Sequence, residues 1–293
     1  MFVSVVIALS LAAAPPEAAS HEANNPLFKS LLEDGFAVSP TDKVKLPAPT
    51  LPDGLDAAKQ KAAINGLIAD DYKFDLFTEK SVVAPQLLKI RDIKGGDPKA
   101  PPRGVDVWFV IHGDLKSLDD DKFLDRIVNS GRGAGAAKQV SAADLMKRKI
   151  TIADPKKESF GHLEFDFLDK VRVRATGRVM WTRTPDSVLV AGEIDPRFAG
   201  DADFPNEWQS IDKQAGGAKL GPKTVWAGAA FYIKMTKLAE PAGALFCEQH
   251  VIFVEPQGWF DGANLLRSKL PAATQINVRN MRKEWARAVG PGK

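Results

Sequence analysis

The chain has 293 residues, 44% of them hydrophobic, with 40 Lys and Arg against 37 Asp and Glu for a formal charge of +3. That length supports one large domain or two small ones with a sizeable core, and the composition excludes a disordered, collagenous or polytopic membrane chain. The slight basic excess is spread along the chain, which speaks against nucleic acid as a partner, and the single cysteine, Cys247, excludes an internal disulfide and a cysteine-based zinc cluster.

Residues 2–14 (FVSVVIALSLAAA) form an apolar run of 13, short of the about 20 residues that span a bilayer, and small residues follow. This predicts a signal peptide over 1–20, cleaved after Ser20, and a secreted or periplasmic protein. A buried N-terminal strand or helix is the alternative. Over 25–34, apolar positions 27, 28, 31 and 32 predict a short helix stopped by Gly35. Prolines at 40, 47, 49 and 52 then enforce an extended connector, and 55–68 reads as a second helix.

From Phe74 onward the texture changes to β-branched and aromatic runs broken by turns. Strands are predicted at 72–78, 85–93, 105–112, 161–167, 170–183, 187–194, 224–237 and 244–254. The connections among 161–194 are too short for a helix, so those strands pair antiparallel. Helices are predicted at 119–129 and 141–148, with a flexible Gly-rich loop at 131–137. An amphipathic helix over 271–289 ends the chain. Pro271 suits its first turn, and Ile276, Val278, Met281, Trp285 and Ala288 crowd one side.

Mostly antiparallel strands closed by a C-terminal helix follow the order of the helix-grip fold. Residues 255–282 (EPQGWFDGANLLRSKLPAATQINVRNMR) resemble the ending of START-like domains through Pro256, Gly258, Ala263, Asn264, Leu265, Leu266, Leu270 and Pro271. The resemblance implies an α+β fold in which a curved antiparallel sheet wraps the C-terminal helix over 84–293. Residues 21–83 precede it as a helical, proline-rich extension that departs from the family pattern, as does the helical insertion at 119–148. It also implies a hydrophobic or amphipathic small molecule, such as a lipid, in a cavity between sheet and helix, with no cofactor. Small residues 227–230 flanked by large ones are compatible with such a hollow, and equally with close helix packing.

On this reading the ligand-binding residues are Trp226, Phe231, Tyr232, Met235, Trp259, Leu266, Met281 and Trp285, with Arg178 or His250 as polar anchors. Other polar features have simpler readings. Arg172, Arg174 and Arg178 face Glu164 and Asp166 across a hairpin, which makes a cross-strand charge ladder the leading reading and an anion site its rival. His112, His162 and His250 lack metal-site spacing, so no metal is expected. His112-Gly113 stands without any G-x-S-x-G, against an esterase. Basic residues Arg279, Arg282, Lys283 and Arg287 on the last helix form a solvated face or a membrane-surface contact. The expected protein is therefore an exported binding protein. A cell-envelope structural or interaction protein with a filled core is the alternative, and a cavity-based hydrolase or cyclase stands behind both.

Overall fold

The β-branched and aromatic runs pair into one sheet in the computed structural model, which describes residues 20–120, 122, 123, 126, 136–214, 217–256, 259, 260 and 264–289. The N-terminal segment holds α1 (His21–Asn24), α2 (Pro26–Glu33), a two-stranded ladder of β1 (Phe36–Ala37) and β2 (Lys43–Val44), α3 (Ala57–Ile68) and α4 (Phe74–Phe77). Ser20 caps α1 by accepting from the Ala23 amide at 3.1 Å, and Asn25 caps α2 through Phe28 at 2.9 Å. The rest follows as β3 (Gln86–Asp92), β4 (Pro102–His112), β5 (Ala136–Gln139), α5 (Ala142–Lys147), β6 (Glu158–Phe167), β7 (Val171–Arg183) and β8 (Ser187–Ile194). Then come β9 (Glu207–Gln214), β10 (Gly217–Leu220), β11 (Thr224–Val225), β12 (Ala229–Lys237), β13 (Ala244–Val254) and α6 (Leu265–Val289).

Every pairing is antiparallel. The main path runs β5-β6-β7-β8-β12-β13-β4-β3, and β7 is long enough to serve two neighbours on one edge, β9 through 171–174 and β8 through 177–183. One apolar core joins residues of β3, β4, β6, β7, β8, β12 and β13 to Leu266, Leu270, Val278, Met281 and Trp285 of α6. An antiparallel sheet thus packs around a long C-terminal helix, the helix-grip arrangement that the element order implies.

Several expectations are corrected. Residues 72–78 hold no strand: Phe77 turns into the core beside Ile64 and Ile68 of α3, so burial against a helix overrides the local alternation. The run 224–237 breaks at Gly228, whose φ of +113° suits glycine and whose added Cβ would meet Ile194 at 3.0 Å. Strands β5, β9 and β10 were not anticipated, because short polar stretches such as EWQSIDKQ carry little periodicity. Helix α6 begins at Leu265, so Pro271 lies inside it, where the proline removes the amide that would bond the Arg267 carbonyl. Ile276 is exposed, as is Ala288, while Val278, Met281 and Trp285 are buried. The expected helix 119–129 and the loop 131–137 fall largely outside the described residues.

Candidate functional site

Side chains alternate across a strand, and here both faces are covered. In β13, Leu245, Cys247, Val251 and Phe253 face α6, whereas Phe246, Ile252 and Val254 face the N-terminal segment with its Leu27, Phe28, Leu31, Leu51 and Ile64. Trp226, Met235, Trp259, Leu266, Met281 and Trp285 come together in the helix-side core, with half-buried Phe231 packed on it. Tyr232, Arg178 and His250 do not join them.

Those three sit on the opposite face, one register step from the expected one. The Tyr232 ring meets Phe28 edge-on at 5.1 Å, and its hydroxyl donates to the Pro47 carbonyl at 3.0 Å. Arg178 donates to Glu158 at 2.6 Å. His250 Nδ1 lies 2.8 Å from Asp106, which Arg91 grips from its other side, and Nε2 lies 3.4 Å from Glu248. Burial alone would lower the His250 pKa, but the bonds to Asp106 and Glu248 outweigh it and raise it. The polar anchors expected at a tunnel are therefore bound to partners elsewhere.

Other candidates also resolve into structure. His112 and His162 stand apart, 2.9 Å from the Thr78 carbonyl and 2.8 Å from Thr176 Oγ1, and no metal-ligating trio occurs among the described residues. The charge ladder forms through Arg172 and Asp166 at 2.8 Å, while Arg174 turns instead to Glu207 of β9. Of the basic residues on α6, Arg282 is buried, donating to the carbonyls of Val110 at 2.9 Å, Ala84 at 2.5 Å and Pro85 at 3.0 Å. It is not part of a surface face.

At its centre the helix-side core is filled: Cys247, Val251, Val278, Met281 and Trp285 are at most 1% exposed. Part of the polarity inside it is unmatched: Trp226 Nε1 donates to the Val254 carbonyl at 2.8 Å, but other groups have no such bond. Among the described residues, both amide atoms of Gln249 and the indole nitrogens of Trp208, Trp259 and Trp285 are buried without a hydrogen-bond partner. Gln249 follows the helix-facing parity of β13, opposite Ile233 and Val107 of the same core.

An opening lies at the end of this core where α6 begins. A cleft of about 310 Å³ is bounded by Ile90, Asp92, Arg103, Glu255, Phe260, Asn264, Leu266 and Arg267. Ile90, Phe260 and Leu266 make its apolar surface. The charged groups form an alternating chain: Arg267 donates to Asp92 at 2.9 Å, Asp92 also binds Arg103, and Arg103 Nε donates to Glu255 at 2.6 Å. Burial works against the Arg103 charge, yet Glu255 and Asp92 raise its pKa further. Of these eight residues only Leu266 was expected at the site. Asp92 and Arg103 pair in register at adjacent strand ends, a placement that spacing in sequence does not disclose.

No family model and no curated protein matches the chain. Among solved structures it is similar to the human StarD13 (DLC2) lipid transfer and protein localization domain, at 7% identity and a TM-score of 0.39, covering 68% of this chain and 90% of that one. It is also similar to protein Ms6760 from Mycobacterium smegmatis, at 11% identity and a TM-score of 0.33 over 68% of this chain and 98% of that one. A third is an uncharacterized protein from Rhizobium leguminosarum, at 11% identity and a TM-score of 0.28 over 64% and 98%. Among the described residues no helix is long and apolar enough to cross a membrane.

Proposed function

We propose that the chain binds an apolar or amphipathic small molecule at the cleft where α6 meets the ends of β3, β4 and β13. The cleft itself carries the reading: about 310 Å³ is the lower end of the volume organic ligands need, and its surface sets an apolar patch of Ile90, Phe260 and Leu266 beside five polar residues, the pairing an amphipathic molecule fits. Uptake of the fluorescent probe N-phenyl-1-naphthylamine tests it, together with mass spectrometry of the organic extract of the purified protein. Leu266→Arg, which puts a charge on the apolar wall, is expected to weaken probe uptake about ten-fold or more. Wild-type protein that neither takes up the probe nor yields a stoichiometric extract overturns the reading.

The filled centre of the helix-side core favours a second reading, a cell-envelope interaction or structural protein. Export is part of both and rests on the apolar run at 2–14, which lies outside the described residues. N-terminal sequencing of the mature protein checks it, and His21 as the first residue is the expected result.

A further inference from the structure

The four charges around the cleft are not interchangeable. In the chain Arg267–Asp92–Arg103–Glu255, Asp92 and Arg103 each hold two opposite charges, whereas among the described residues the side chains of Arg267 and Glu255 each have one partner. The series therefore ends in an under-used guanidinium at one end and an under-used carboxylate at the other, both on the wall of the same cleft. A ligand group of a single sign meets attraction at one end and like charge at the other. A group carrying both signs extends the alternation at both ends, its anion on Arg267 and its cation on Glu255.

Resting on the ligand-binding reading above, we infer that the cleft selects amphiphiles with a zwitterionic head over anionic or cationic ones with the same tail. The tail lies on Ile90, Phe260 and Leu266. Arg267 is 48% exposed and Glu255 18%, and neither belongs to the apolar core.

The experiment displaces N-phenyl-1-naphthylamine from the full chain with dodecylphosphocholine, dodecyl phosphate and dodecyltrimethylammonium, each below its micelle concentration. Wild-type protein is expected to prefer dodecylphosphocholine by about ten-fold over both others. Arg267→Gln should shift the preference towards dodecyltrimethylammonium, and Glu255→Gln towards dodecyl phosphate, in mirror image. Equal binding of the three by wild type, or an equal loss of all three in both variants, overturns the inference while leaving the ligand-binding reading intact. Free phosphocholine competing as strongly as the amphiphile overturns the assignment of the tail. Failure of wild type to bind the probe at all removes the underlying reading and the inference with it.

Discussion

Both faces of the sheet bury apolar clusters, but they leave different amounts of polarity unmatched. On the face under the N-terminal segment, buried polar groups find partners that tie that segment down. Lys234 donates to the Leu51 carbonyl at 2.6 Å and lies 2.7 Å from Asp53, Ser187 and Thr184 donate to the same carboxylate, and the Thr50 amide donates to Glu248 at 2.7 Å. Only Glu248 Oε1 and Thr236 Oγ1 are without partners among the described side chains there. On the face under α6, Gln249 and three indoles are left unpaired among the described residues. The first pattern is that of a fastening, and the second is polarity that the protein's own packing does not use.

The fastening breaks most heavily at Asp53. Asp53→Ala leaves the Lys234 ammonium, 2% exposed, without its counter-charge, and is expected to cost about 3–5 kcal/mol in urea unfolding. Lys234→Met, which removes the buried charge together with the need for its partner, should cost far less. Equal losses from the two would show that the pair does not act as a buried charge and counter-charge.

Acid tests the same face. His21 lies 2.7 Å from both Thr182 and Ser187, and burial lowers its pKa to about 4 against Asp53, which works to raise it. Ser187 spends its proton on Asp53, so His21 donates from Nε2 and receives from Thr182 at Nδ1, the pattern of a neutral ring. A folded pKa below the unfolded value of about 6.5 means the unfolded chain binds more protons between them. The contribution is therefore complete above pH 6.5 and is lost as pH falls towards 4, by up to about 3 kcal/mol. His21→Asn should flatten this acid limb. His250, with its raised pKa, acts in the other direction: its contribution is present below pH 6.5 and is lost as pH rises through its folded pKa. His250→Gln should leave the acid limb in place.

The same two-sided burial explains what could be read from sequence. Strands 187–194 and 244–254 were legible to the residue, because β-branched and aromatic runs bounded by turns need no partner to be identified. Their faces were not. All eleven residues of β13 are buried, so the period-2 signal that separates inside from outside is erased, and Glu248, Gln249 and His250 stand together in an apolar run. That triplet sends one polar side chain to the helix face and two to the other, and nothing local says which. For that reason the pattern assigns His250 to the helix side, which Gln249 occupies in the structure. Tyr232 went astray in the same way beside Phe231. The cleft was less legible still, since Asp92, Arg103, Glu255 and Arg267 meet only through register and the start of α6.

On the helix face, packing is tight enough to read a single methyl group. A Cβ on Gly113 would lie 2.2 Å from the Trp285 ring, so Gly113→Ala is expected to cost about 1–3 kcal/mol by displacing that indole. A smaller effect of opposite sign separates the faces most cleanly. Gln249→Met keeps the volume of the side chain and removes two buried polar atoms that have no partner, so it should be neutral or stabilising by about 1 kcal/mol in thermal unfolding. Most substitutions of a fully buried polar residue destabilise, and on the opposite face Asp106→Asn, which weakens the grip on His250 and Arg91, should do so. A large loss from Gln249→Met would instead mean that its amide holds an enclosed water or ligand atom, and the helix face would then be fastened like the other.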